Sequence, residues 1–141
     1  MALHNVWIAT ASDGLVRADQ IVGIGTHQTP RLAGKPAHWL FYVNVAVPAG
    51  SGTPGGWDVG ILNRTIVQCS QQPTEAPVQL AQLLSHLDAT GAAGLVEARY
   101  SGPRGNGGDT AEVDLGFTPF PVLAAQSRIH AVQPQPPADR T

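Results

Sequence analysis

His38-Trp39-Leu40-Phe41-Tyr42-Val43-Asn44-Val45-Ala46-Val47 is the stretch that decides the fold. Its odd positions, Trp39, Phe41, Val43, Val45 and Val47, are all large and apolar, whereas Leu40, Tyr42, Asn44 and Ala46 form a mixed row. Period two of this kind predicts a central β-strand with one fully buried face and one partly covered face.

On the N-terminal side, residues 5–11 and the run from Leu15 flank Ser12-Asp13-Gly14. Asp-Gly between β-prone flanks predicts a hairpin, because both residues tolerate the positive φ of a type I′ turn. Leu15 to Thr26 is interrupted by Arg17-Ala18-Asp19-Gln20 and carries Gly23 and Gly25, which predicts one strand with a bend or bulge. Pro30, Gly34 and Pro36 make residues 28–37 a loop into the central strand. On the C-terminal side, Pro48 to Gly56 has no periodicity and reads as a flexible glycine-rich loop before a strand at Trp57–Leu62. Thr65 to Ser70 either continues that strand or returns from a tight turn at Asn63-Arg64; the residues are compatible with both.

Leu80, Leu83, Leu84 and Leu87 recur at i, i+3, i+4 and i+7, a stripe that predicts a helix from Glu75 to Asp88 packed on a sheet. Thr74 is the expected N-cap, Pro77 is tolerated in the first turn, and Gly91 suits the stop. Its outward residues Gln79, Gln82, Ser85 and His86 are neutral or nearly so. Beyond it, Gly94–Tyr100 and Thr110–Phe117 alternate, with Val113, Leu115 and Phe117 expected inside and Glu112, Asp114 and Gly116 outside. A second glycine-rich loop, Ser101–Asp109, joins them. Residues 122–132 are compatible with a short helix or an edge strand, and 133–141 form an extended polyproline-type arm. These elements predict an α+β fold: an antiparallel β-meander of five to seven strands with one amphipathic helix on one face. Residues 1–132 form a single domain, and 133–141 its Pro-rich tail.

Charged residues make up 13% of the 141-residue chain, against a usual value of about 25%. The exterior is therefore covered by amides, hydroxyls, glycine, proline and alanine. A net charge of −2 gives little colloidal repulsion and favours association. It also argues against nucleic acid as a partner, since phosphate attraction needs a clustered basic excess. Only Arg99, Arg104 and the segment Arg104-Gly105-Asn106-Gly107-Gly108 speak for it, among Glu97, Asp109, Glu112 and Asp114. Seven arginines stand against one lysine, Lys35, so a GC-rich coding bias is another source of the low charge. Cys69 is the only cysteine, which excludes an intramolecular disulfide. The start, Met-Ala-Leu-His-Asn-Val-Trp, resembles no signal peptide, and no run approaches the ~18 apolar residues of a membrane span, so a cytoplasmic protein without membrane contact is expected.

Chemistry-bearing residues are sparse. Gly50, Gly52, Gly55 and Gly56 invite comparison with a phosphate loop, but there is no Gly-Lys-Ser/Thr ending and a strand follows in place of a helix. His27, Arg31 and Lys35, with His38, fall close together and could meet an anion or an acidic partner; a solvated loop is the simpler reading. The five histidines and Cys69 show no metal-ligand spacing, so neither a metal nor another cofactor is expected. Cys69 reads as a small buried hydrophobe. Glu112 and Asp114 share a strand face near Asp109, where alternating acids ordinarily guard an edge. Trp39, Tyr42 and Trp57, with His38 or His86 as polar member, could line a small-ligand pocket between sheet and helix, and they equally suit a core.

The low charge, the neutral helix exterior, two glycine-rich loops and the C-terminal arm lead to one functional expectation: a non-catalytic assembly or interaction subunit. Such a subunit would be a homo-oligomer or bind a protein partner, in the cytoplasm or in a repeating particle such as a virion or phage-like tail. A small-ligand binder or modest enzyme is the alternative.

Overall fold

The computed structural model describes residues 3–53, 56–103 and 111–122. Among them are seven strands and one α-helix in the order β1 (Val6–Ala9), β2 (Leu15–Arg17), β3 (Ile21–Gln28), β4 (Trp39–Thr53), β5 (Gly56–Cys69), α1 (Ala76–Thr90), β6 (Gly94–Pro103) and β7 (Ala111–Pro119). The strands form two sheets, one ordered β2-β1-β6-β7 and the other β3-β4-β5. The fold is α+β, with a single helix packed on mostly antiparallel strands. One pair, β1 with β6, is parallel, joining Val6 to Gly94 and Ile8 to Val96.

β4 is the middle strand of its sheet, and its odd row faces the core: Phe41 and Val43 are fully buried, Val45 nearly so, and Trp39 packs partly against them. The opposite sheet contributes Val6, Ile8, Val16, Val96 and Val113, with Leu115 and Phe117 at the margin. Glu112, Asp114 and Gly116 are exposed, as the alternation predicts. Removing an aliphatic or aromatic side chain of this size from water stabilises by about 1.5–3 kcal/mol. The two inner faces are therefore the main source of cohesion.

Pro48–Thr53 and Gly56 belong to a strand pair where a loop was expected; residues 54–55 lie outside the described residues. β4 continues to Thr53 and pairs with β5 from Ala49↔Gly60 to Thr53↔Gly56. A ladder is made by backbone amides and carbonyls, so a glycine-rich segment can join one without displaying any side-chain period. Asn63 and Arg64 lie inside a continuous β5, paired with Asn44 and Val43. Phe41 pairs with Val67 and Tyr42 with Thr65, which leaves Ile66 as a bulge residue, buried in the core.

Arg17-Ala18-Asp19-Gln20 marks a boundary between sheets where one bent strand was expected. Ala18–Gln20 is a 3-10 turn carrying the chain from β2 to β3, held by Arg17 Nε donating to Asp19 Oδ1. A bulge between Ile21 and Gly23 follows. The Asp13-Gly14 hairpin is present with a longer loop than a two-residue type I′ turn. Ala9↔Leu15 is the last pair, and Thr10–Gly14 close the loop with Gly14 at φ 104°. The cause is Thr10: its hydroxyl lies 2.6 Å from Asp13 Oδ1 and 2.8 Å from the Gly14 carbonyl, and it accepts from the Asp13 N–H. This tip also ties the sheets together, since Ala11 N donates to Thr65 O and Arg64 Nη2 lies 3.1 Å from Asp13 Oδ2.

The helix begins and ends slightly later than its leucine stripe suggests. Its N-cap is Glu75 without a side-chain cap, so Thr74 does not serve; Gly91 closes the C-terminus at φ 62°, donating to the carbonyls of Asp88 and Leu87. Ala76, Leu80, Leu84 and Leu87 are buried. The helix touches β3 and β7, an edge strand of each sheet, and so bridges the two sheets beside their shared core. Residues 123–141, including the proposed helix or strand at 122–132 beyond Val122 and the Pro-rich arm, lie outside the described residues, as does the glycine-rich segment 104–110.

Candidate functional site

A hollow lies where α1 passes the outer edge of β3. It is a groove of about 790 Å³. One wall is the helix from its first turn to Ser85, with Pro77, Val78, Ala81, Gln82, Leu84 and Ser85; the other is Ile21–Ile24, with Ala18 and Leu3 at the end. The lining contains no ionisable side chain. Val22 and Val78 stand at its rim, 63% and 60% exposed.

The strand wall is a sheet edge. Among the described residues β3 pairs with β4 alone, and apart from the Ile21 N–H, which donates to Ala18 O in the preceding turn, no backbone–backbone hydrogen bond joins it to a further element. Sheet edges are ordinarily blunted by charge, proline or short length. β7 carries Glu112 and Asp114, β5 carries Asp58 and Arg64, and β2 is three residues long with Arg17. β3, Ile-Val-Gly-Ile-Gly-Thr-His-Gln, has no proline and no Asp, Glu, Lys or Arg. An edge of this kind beside an apolar groove is suited to accept an extended chain through main-chain hydrogen bonds, with alternate side chains in the groove.

A smaller cleft of about 320 Å³ lies between β1, β5 and β6, lined by Thr10, Ile66, Gln68, Glu97 and Arg99 among others. Its one carboxylate and one guanidinium are exposed. Nearby, Ser70 Oγ and Tyr100 OH share a hydrogen bond of 2.5 Å that closes the end of β5 onto β6. Among the described residues no group of three His, Cys, Asp or Glu side chains gathers as a metal site.

The residues singled out from sequence are dispersed. Trp39 faces the core, whereas Tyr42, of opposite parity on β4, covers Gly25 and meets His27 at a ring-centroid distance of 5.2 Å. His38 is half-buried at the start of β4, its N–H bonded to Thr29 Oγ1; His86 is on the exposed face of α1. The Trp57 side chain lies outside the described residues. His38, Trp39, Tyr42 and His86 line neither hollow. His27, Arg31 and Lys35 are exposed, the last two in the loop between β3 and β4, where Lys35 N donates to Leu32 O.

Among the described residues three groups have displaced proton affinities. The Thr10 hydroxyl, then the Arg64 guanidinium, holds the Asp13 carboxyl below its ordinary range. Arg17, followed by Gln20, does the same for Asp19. Burial pushes the Cys69 thiol up, in keeping with a free cysteine inside the core. None of the three lines the groove.

The groove escaped the sequence reading because its walls are brought together only by packing. The available signal was the absence of charge from Ile21–Gln28 together with the neutral outer face of the helix. Comparison with protein-family models, curated proteins and solved structures finds no match for this chain. Among the described residues no helix is long and apolar enough to cross a membrane.

Proposed function

We propose that the protein is a non-catalytic assembly or interaction subunit of a larger complex, such as a structural component of a phage-like particle. It works as an oligomer or with a protein partner, in the cytoplasm or in a virion. One observation carries the reading: the uncharged α1–β3 groove runs beside a sheet edge that carries none of the Asp, Glu or Arg found on the other edges. Exposed apolar surface next to open main-chain groups is a surface for another chain. Light scattering on the full chain, with native co-purification, is the test. A mass above the monomer, lowered by charge at Val22 or Val78, is expected. A clean monomer at high micromolar concentration with no co-purifying protein refutes the proposal.

The groove volume also favours a second reading, a small apolar ligand, since pockets for such molecules run from about 300 to 1,000 Å³. A thermal-shift screen separates the two. A ligand at about 100 times its dissociation constant adds about 2.7 kcal/mol of stability, and a screen without any shift removes this reading.

A further inference from the structure

The occupant of the groove can be inferred from where the chain leaves the fold and what its continuation contains. α1 ends at Gly91, and three residues later β6 starts back at Gly94. β7 is antiparallel to β6, so it finishes beside Gly94, and Phe120 N donates to Ala93 O. The chain therefore emerges at the C-terminal end of α1, whereas the groove is lined by Pro77–Ser85, from the first turn to about two thirds of the helix. Pro119 and Pro121 keep the exit extended. Phe120 is 46% and Val122 is 95% exposed. The exit thus lies at the other end of α1 from Pro77 and Val78, with Val122 open to solvent.

The ten residues after Val122 have the composition that the groove requires. In residues 123–132 the odd row is Leu123, Ala125, Ser127, Ile129 and Ala131, uncharged and mostly apolar, while the even row is Ala124, Gln126, Arg128, His130 and Val132 and holds every ionisable side chain of the segment. Period two of this kind suits a strand with one face covered. Ten extended residues span at most about 33–36 Å, enough to run the length of β3, whose eight residues cover about 27 Å. The groove has no charge to pair with a charged ligand, and the odd row brings none.

Resting on the interaction reading above, we propose that the groove between α1 and β3 receives residues 123–132 of a second copy of this chain, added to β3 as a further strand. The odd row then fills the groove, and Arg128 and His130 remain toward solvent. The open edge of β3 is consumed by the contact, and each subunit both offers a segment and accepts one.

The test is light scattering and sedimentation of the full chain, wild type against Val22→Glu, Ile129→Asp and Gln126→Asp. The proposal expects self-association that Val22→Glu and Ile129→Asp each weaken by about tenfold or more, with Gln126→Asp within about twofold of wild type. A synthetic peptide of residues 121–133 should dissociate the wild-type assembly and bind the Ile129→Asp chain. Val78→Glu, on the helix wall, replaces Val22→Glu if that variant melts early. If the groove substitutions weaken association while Ile129→Asp does not and the peptide fails to compete, the inference is overturned and the interaction reading survives with another occupant. If wild type is monomeric, or no groove substitution matters, both fall.

Discussion

Gly94→Ala is the substitution that most directly tests how the strands are assembled. Gly94 opens β6 between Val6 of β1 and Pro119 of β7. A Cβ there would stand 2.3 Å from the Thr118 carbonyl oxygen and 2.6 Å from the Phe117 ring. The ring can turn aside, but a carbonyl held in a ladder cannot, so relief requires β7 to move away from β6. Overpacking of this kind costs about 1–3 kcal/mol, and the backbone contact places this case near about 3 kcal/mol. Each kcal/mol lowers the melting temperature of a chain of this size by about 3–4 °C, which gives a fall of about 10 °C. Two controls calibrate the series. Gly91→Ala places a side chain at φ 62° in open space and should cost about 1–2 kcal/mol through the left-handed conformation alone. Gly116→Ala meets nothing nearer than the Glu97 carbonyl at 4.0 Å and should stay within about 0.5 kcal/mol of wild type. Urea unfolding at neutral pH, checked by calorimetry, gives the order. Equal costs at Gly94 and Gly116, or a Gly94→Ala chain as stable as wild type, would refute the β1-β6-β7 register.

Further expectations concern the hairpin tip and the core. Asp13 has a folded-state proton affinity below its ordinary value of 3.8, so its contribution to stability is present above that pH and is lost as pH falls through the lower folded value. Urea midpoints taken from pH 6 down to pH 2 should therefore drop at the acid end, and Asp13→Asn should flatten that drop; an unchanged profile counts against the Thr10–Asp13–Arg64 arrangement. Cys69 is 1% exposed with its thiol pushed up by burial, so Ellman's reagent should react slowly with the folded chain and quickly in denaturant. Rapid reaction under native conditions would place Cys69 outside the core.

Much of the architecture was legible because it depends on local periodicity. The alternation through Phe41, Val43 and Val45 fixed which face of β4 is buried, and the leucine spacing fixed the helix. Glycine at 91 marked its end, because a left-handed cap favours a residue without Cβ. The low charge of the whole chain was also plain, though not where it mattered.

Other features had no local signature. The parallel pairing of β1 with β6 joins segments separated by most of the chain, and nothing within either run states its partner. The continuation of β4 and β5 through glycine-rich sequence rests on main-chain bonding that side-chain patterns do not encode. The break at Ala18–Gln20 changes which sheet the chain belongs to, a distinction invisible within a short polar interruption. The placement of Trp39 and Tyr42 on opposite sides of the sheet, by contrast, already follows from strand parity. The sequence by itself thus determined, for the segments with a side-chain period, which extend, which coil and which faces avoid water, because these follow from spacing along the backbone. Only the tertiary structure decided that the edge of β3 stands beside α1 with a groove between them, because that juxtaposition depends on packing among segments far apart in the chain.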